Sequence, residues 1–296
     1  DLGSSARRRG GSSPLSRTNK NWLKANFYFI FGCEIPMYIF LILVLLILFV
    51  YNYIQVSKFH INRPVFYSSK LTKDLRITQI SDYHCNSLID KEQLIKEVED
   101  FNPHIIALTG DILDKRASHM DLSIDLVKRL YKINPNVFFV IGNHELKNPR
   151  GHKFISKIKE IGVNLLDNES KVLELGPDKL NIVGLSFTAY KEEYKKAMED
   201  VNNSNFTLLL SHSPDRLVSF ISGKEDLILA GHTHGGQIRL PLIGAVLGHE
   251  QGLFPKYDKG VFKLRQTILY IDSGLGNTFL PIRFLNRVVF GKIKIQ

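Results

Sequence analysis

Leu75-Arg76-Ile77-Thr78-Gln79-Ile80-Ser81-Asp82-Tyr83-His84 sets a β-prone run directly against two side chains of metal-ligand type. Leu75–Ile80 reads as a strand, and Lys91–Phe101 after it as a helix, with Leu94, Ile95, Val98 and Phe101 at helical spacing. The arrangement then repeats. His104–Thr109 is a strand ending in Gly110-Asp111-Ile112-Leu113-Asp114, and Leu122–Tyr131 is the next helix. Val137–Ile141 is a third strand, ending in Gly142-Asn143-His144-Glu145, with a helix over Phe154–Ile161. Asp82 to Asp111 is 29 residues and Asp111 to Asn143 is 32, each close to the ~30 residues of one βαβ unit. Right-handed crossovers bring such strand ends to one edge of a largely parallel sheet, where open α/β sheets bind ligands.

Farther along, Leu180–Leu185, Phe206–Leu210, Leu227–Ala230, Thr267–Ile271 and Val288–Ile295 are strand-like with fewer helices between them, which predicts a second sheet. Two of these strands also end in donors, Leu210-Ser211-His212 and Gly231-His232-Thr233-His234-Gly235-Gly236. Asp82, His84, Asp111, Asn143, His212, His232 and His234 supply seven side-chain ligands. One ion cannot use seven and keep a reactive water, whereas two ions sharing a bridging carboxylate can. Imidazole, carboxylate and amide without thiolate suit Mn, Fe or Zn over Cu(I). Two divalent ions, two aspartates and a hydroxide leave a small positive charge, so an anionic phosphate is the natural guest.

Composition sets the outer bounds. The 296 residues are 44% hydrophobic and 23% charged, which excludes collagen-like, low-complexity and wholly disordered chains. Two cysteines exclude a disulfide-stapled scaffold and a Cys-based zinc domain. The net charge of +10 is unevenly placed: residues 1–24 carry Arg7, Arg8, Arg9, Arg17, Lys20 and Lys24 against Asp1 alone, half of the total. The body is only mildly basic and lacks a concentrated basic stretch, so nucleic acid is not an expected partner.

Ile35–Tyr51 is 17 residues without a charge, and Glu34 is the single charge between Phe27 and Ile54. With aromatic residues at both ends, 27–54 reads as a transmembrane anchor, and Tyr51–Val56 offers no small-residue cleavage site of a signal peptide. The basic tail, 1–26, is expected to be disordered and cytoplasmic, which puts the rest of the chain outside the cell membrane. Cys33 and Cys85 then lie on opposite sides and cannot pair; Cys85, beside His84, reads as a small buried hydrophobe. Residues 55–72 read as a linker, and 73–296 as one catalytic domain.

The blocks Asp82-x-His84, Gly110-Asp111-x-x-Asp114, Gly142-Asn143-His144-Glu145, His212 and Gly231-His232-x-His234, in that order, resemble the calcineurin-like metallophosphoesterase superfamily. The resemblance runs from about Leu75 to the C-terminus. Gly235–Pro241, Gly274-Leu275-Gly276-Asn277 and Pro281-Ile282-Arg283-Phe284 are similar to its bacterial membrane-anchored branch, which includes UDP-2,3-diacylglucosamine pyrophosphatases. The resemblance implies an α/β (α+β) sandwich, two packed mixed β-sheets flanked by helices, here preceded by one transmembrane helix. It implies two divalent ions, Mn foremost with Fe or Zn as alternatives. Asp82, His84 and His234 would hold one, Asn143, His212 and His232 the other, with Asp111 bridging. A metal-bridging hydroxide would attack phosphorus, and His144, oriented by Asp114, would be the general acid. One departure matters: protein phosphatases of the superfamily follow the second motif's Asp with Arg-Gly, whereas Asp114 precedes Lys115-Arg116-Ala117, which argues against protein substrates. The expected substrate is a phosphate mono- or diester or pyrophosphate, either a small molecule or an envelope lipid, and the apolar stretch Leu240–Gly248 reads equally as an acyl-accepting groove or as a core loop. The alternative is a catalytically weak metal-binding envelope scaffold or receptor. Oligomeric state is not legible.

Overall fold

The computed structural model describes residues 37–248, 251–277 and 281–296. The expected tail, 1–26, the first part of the expected anchor, 27–36, and Cys33 lie outside the described residues. The chain divides into two compact units, residues 1–50 and 51–296. The described part of the first is the opening stretch of helix α1 (Met37–Ser57), with Met37, Leu45 and Phe49 exposed. Among the described residues, α1 is the one helix long and apolar enough to cross a membrane.

In the second unit, the end of α1 is tied to the C-terminal region. Val288 N donates to Gln55 O at 2.9 Å, Asn52 Nδ2 to Pro281 O at 2.8 Å, and Leu285 N to Tyr51 Oη at 3.0 Å. Residues 55–72, expected as a linker, instead complete this helix and contribute two strands, β1 (His60–Asn62) and β2 (Val65–Phe66). Strands of three and two residues are too short to show alternation in the sequence.

The first sheet adds β3 (Leu75–Ile80), β4 (Ile105–Leu108), β5 (Val137–Phe139) and β6 (Asn164–Leu165), joined by α2 (Lys91–Phe101), α3 (Asp121–Ile133), α4 (Asn143–Lys147) and α5 (Gly151–Ile161). The second holds β7 (Glu169–Leu175), β8 (Asp178–Leu185), β9 (Phe206–Ser211) and β10 (Leu227–Ala230), with short helices α6 (Lys191–Ala197) and α7 (Pro214–Val218). Two small hairpins follow, β11 (Arg239–Leu240) with β12 (Gly244–Ala245) and β13 (Leu247–Gly248) with β14 (Gly252–Leu253). β15 (Gly260–Leu264) and β16 (Thr267–Ile271) return to the second sheet, and β17 (Val289–Ile295) to the first. The strand orders are β1-β17-β3-β4-β5-β6, with β2 also on β17, and β15-β16-β10-β9-β8-β7. β3 to β6 are parallel, β17 runs antiparallel to β3, and β8, β9, β10 and β16 are mutually parallel.

Period-two alternation explains the layering. Ile105 and Ala107 of β4 point between the sheets, where Ile77 and Phe138 meet Ile182, Leu208, Leu210 and Leu229. Their neighbours Ile106 and Leu108 point the other way, under Leu94, Val98, Leu126 and Leu130 of α2 and α3. Val183, Leu209 and Ile228 do the same beneath Tyr194, Ala197 and Leu217. Both faces of the central strands are therefore buried, which is why they read as continuous apolar runs. The architecture is two packed mixed sheets flanked by helices, as the sequence predicts. α2 starts where Asp90 Oδ1 accepts from Gln93 N at 2.9 Å and stops at Asn102, whose φ of 48° is left-handed.

Candidate metal centre

Because β3, β4, β5, β9 and β10 end at one edge, their following residues converge. Asp82 and His84 follow β3, Asp111 follows β4, Asn143 opens α4 beyond β5, His212 follows β9, and His232 and His234 follow β10. All seven sequence-predicted donors come together, and all are buried. His84 Nε2 lies 3.2 Å from His234 Nε2, which is 3.4 Å from Asp82 Oδ1. His212 Nε2 lies 3.1 Å from Asn143 Oδ1 and 3.1 Å from His232 Nδ1. Two nitrogens bound tetrahedrally at 2.0–2.1 Å stand about 3.3 Å apart, so both groups have the spacing of donors around an ion. Asp111 Oδ2 reaches both: it is 3.1 Å from His212 Nε2 and 3.7 Å from His84 Nε2. Asp82, His84 and His234 form one candidate metal group and Asp111, His212 and His232 a second.

The backbone is bent to aim these donors. Asp82, His84, Asp111, His232 and His234, five of the seven, have φ between 49° and 70°. That region costs a non-glycine residue of order 1–3 kcal/mol and persists where surrounding contacts over-determine it. Gly231 and Gly142 are required by close approach. A Cβ on Gly231 would collide with Ser81 Oγ and Asp82 Oδ2, and one on Gly142 with the Asp111 carboxylate.

Partners behind the donors orient them, as is general for metal-site imidazoles. His212 Nδ1 donates to Thr109 O at 2.8 Å, leaving its Nε2 to face the centre. Asp111 Oδ1 accepts from His144 N at 2.7 Å, which turns Oδ2 inward. Asp114 Oδ2 lies 3.3 Å from His84 Nδ1 and 3.2 Å from His144 Nδ1, so it serves two rings where the sequence suggested one. His144 Nε2 points at Asp111 Oδ2 from 3.9 Å.

Charge compensation sets the protonation of the metal-free site. Burial disfavours ionised Asp82, Asp111 and Asp114, yet the surrounding imidazoles outweigh it and hold all three below the usual carboxylate range. In return, burial is overcome at His84 by Asp114, Asp82 and Asp111, which push it up to about 10, and at His212 by Asp111, to about 9. His234 goes the other way, down to about 3, through burial and the charges of His84 and Arg283. Ions entering this site displace protons from His84 and His212 and inherit a ready set of anionic partners.

Three side chains brace the centre: Glu145 and Arg283 stand inside sequence motifs that assign them no role, and Asp272 carries no signal of its own. Glu145, buried, accepts from Asp111 N and Gly142 N at 2.9 Å and Leu113 N at 2.8 Å, fixing the second and third loops to each other. Burial and the Asp111 charge push its carboxyl up to about 7. Arg283 is 1% exposed; its Nη2 donates to Ser273 O and Gly276 O at 2.7 Å and lies 3.3 Å from His234 Nδ1. Asp272, also buried, accepts from Gly274 N at 2.9 Å. Glu145 and Arg283 act through partners distant in sequence, Asp111 and His234, which no local motif reveals. Cys85 is half-buried with Sγ 3.2 Å from Ser123 Oγ.

Residues 75–236 match the calcineurin-like phosphoesterase family, and the match takes in every donor described above. The chain belongs to the calcineurin-like phosphoesterase family. The uncharacterized metallophosphoesterase YkuE of Bacillus subtilis (strain 168) is 30% identical over 221 residues, 71% of this chain and 75% of that protein. A transmembrane protein with metallophosphoesterase domain from Bos taurus is 24% identical over 75% of this chain and 53% of its own length. A 5'-nucleotidase precursor from Thermus thermophilus superposes with a TM-score of 0.49 at 14% identity, over 75% of this chain and 54% of that one. As a calcineurin-like phosphoesterase the chain is a metal-dependent hydrolase, and the seven-donor cluster is its candidate site.

Proposed function

We propose that the chain is a membrane-anchored, dinuclear phosphohydrolase that cleaves phosphate mono- or diester or pyrophosphate bonds of an envelope lipid or nucleotide-linked lipid, of the kind represented by UDP-2,3-diacylglucosamine. The observation that carries the dinuclear reading is the Asp111 carboxylate, within 3.1 Å of one imidazole group and 3.7 Å of the other. Asp82, His84 and His234 would hold one ion, Asn143, His212 and His232 the other, and Asp111 both. The family setting and the oxygen-and-imidazole donor set favour Mn, with Fe or Zn as alternatives. Such ions, when bound, lower the pKa of a shared water toward neutrality and polarise phosphoryl oxygens.

The chain's own contribution is proton delivery. Lys115 N donates to His144 Nδ1 at 3.1 Å, so the neutral ring keeps its proton on Nε2. When protonated, the ring turns Nδ1–H to Asp114 Oδ2, 3.2 Å away, and still presents Nε2–H toward the centre. Only this charged form protonates a leaving oxygen; the ring is left neutral with its proton on Nδ1, held by Asp114. Glu145 keeps the loops of Asp111 and Asn143 in register while this happens.

The envelope substrate is supported by α1 and by the apolar stretch after His234, where Leu242, Ile243 and Leu247 are exposed. The Lys/Arg bias supports a cytoplasmic N-terminus and an extracytoplasmic catalytic unit. Release of p-nitrophenol from bis-p-nitrophenyl phosphate with Mn²⁺, lost in Asn143→Ala, tests the activity; absence of release from the wild-type chain under any of Mn, Fe or Zn refutes it. Incubation with an envelope lipid extract, followed by phosphate-ester analysis, then identifies the substrate.

A further inference from the structure

The edge strands β1 and β15 of the two sheets flank a cavity of about 420 Å³, lined chiefly by His60, Arg63, Arg239, Lys259, Tyr270 and Arg287. Its place follows from register. Val289, which opens β17, pairs with His60, and Gly260 pairs with Ile271 at the end of β16, beside Ala230 at the end of β10. The recess therefore opens on the same edge as the metal centre, at the lateral end nearest His234.

Among the described residues, no carboxylate lines this cavity. Arg239 Nη1 is paired with Asp258 Oδ2 at 2.5 Å and also donates to Gly235 O at 3.0 Å, and Asp272 lies behind Tyr270, whose hydroxyl is 3.5 Å from its Oδ2. Arg63, Lys259 and Arg287 have no carboxylate partner among the described residues. Lys259 Nζ donates to Asn286 Oδ1 at 3.0 Å, a neutral acceptor, and Asn286 Nδ2 in turn holds His234 O at 2.6 Å. Burial first, then the charges of Arg239 and Arg283, push the Lys259 ammonium down to about 8 against the opposing pull of Asp272 and Asp258. The two exposed guanidinium forks, Arg63 and Arg287, are suited to bidentate capture of a phosphate, and the half-buried Lys259 ammonium to a point contact. The volume falls in the range of small-molecule sites, roughly 300–1,000 Å³.

We infer that this recess is a second anion site that takes a phosphate group and shares no residue with the metal centre. Two sources offer that group. One is the headgroup of an anionic phospholipid: β1 begins three residues after Ser57, the last residue of the apolar helix, and Val288, beside the pocket residues Arg287 and Val289, is bonded to Gln55. The other is a soluble phosphate, including a second phosphate of a substrate whose first lies at the metals.

Calorimetric titration of the metal-loaded full chain in neutral detergent tests this. The probes are inorganic phosphate, dihexanoylphosphatidylglycerol and, as a zwitterionic control, dihexanoylphosphatidylcholine. The variants are Arg63→Gln/Arg287→Gln, both positions exposed, and Lys259→Met. The wild-type chain is expected to bind at least one anionic probe in a class of sites that the double variant weakens by about tenfold or more, the loss of two charge-assisted contacts. Phosphatidylglycerol binding without phosphate binding assigns the headgroup; binding of both assigns the soluble group. Phosphate held at the metals is common to wild type and variants and cancels. Equal affinities in wild type and both variants, or binding of phosphatidylcholine as tight as phosphatidylglycerol, overturn the inference. Manganese-dependent p-nitrophenol release, measured on the same preparations, separates failure of this site from failure of the catalytic reading.

Discussion

Asp114→Asn separates two jobs that one carboxylate performs. Asp114 Oδ2 stands 3.2 Å from His144 Nδ1 and 3.3 Å from His84 Nδ1, while Oδ1 accepts from Arg116 N at 2.7 Å. Asparagine keeps the shape and can keep the Arg116 bond, so the fold survives. The His144 side loses the acceptor that retains the Nδ1 proton, at a cost bounded by what a positioned general acid contributes, roughly 10²–10⁴-fold. That cost falls on leaving groups that need a proton, such as alkyl alcohols, and hardly on p-nitrophenolate. The His84 side loses its carboxylate partner, which typically costs about 10–100-fold in metal affinity and is restored by excess metal. The assay compares kcat for p-nitrophenyl and alkyl phosphate esters across a Mn²⁺ titration. At saturating Mn²⁺ the aryl ester is expected within about threefold of wild type and the alkyl ester down by at least about 10². Equal losses on both esters at saturating metal refute the proton-delivery role, and an unshifted Mn²⁺ midpoint refutes the His84 role.

Glu145→Ala strands three buried backbone donors, each costing about 1–3 kcal/mol, so a loss of at least about 3 kcal/mol in denaturant unfolding is expected, with Glu145→Gln milder; a near-neutral Ala variant contradicts the bracing role. His84 and His212 have folded pKa values raised above the ordinary imidazole value, so they stabilise the metal-free chain below pH 6.5 and lose that contribution as pH rises toward about 9 and 10. The chelated protein's melting temperature should therefore fall from pH 7 to 8, before the depressed Lys259 begins to oppose the trend; a rise in that window contradicts the assignment. Metal binding near pH 7.5 should release about two protons, read from calorimetry in buffers of different ionisation enthalpy, and release of none contradicts it.

The donors are legible because each sits within a few residues of a strand end, and strands buried on both faces announce themselves as apolar runs: Ile105–Leu108 then Asp111, Leu227–Ala230 then His232 and His234. Element type is legible where helical spacing repeats over several turns, as in α2, or where a strand buried on both faces makes a continuous apolar run, as in β9. It is lost where the element is too short to repeat its period: β1 and β2 vanish into an expected linker, and α4 is little more than one turn, whose residues read only as donors. The bracing residues are hidden for a different reason. Arg283 lies 49 residues from His234 and Glu145 lies 34 from Asp111, so their roles exist only once the sheets have formed. The basic recess is hidden likewise, since Arg63, Lys259 and Arg287 come from three distant segments, and a net charge of +10 does not say where its members meet.

The central claim is that two ions share Asp111. Elemental analysis of the purified full chain, dialysed against limiting Mn²⁺, measures it directly. Two ions per chain are expected in the wild type and fewer than one in Asp111→Asn, because the shared oxygen belongs to both groups. One ion per chain in the wild type, or an unchanged complement in Asp111→Asn with the fold intact, would contradict the account.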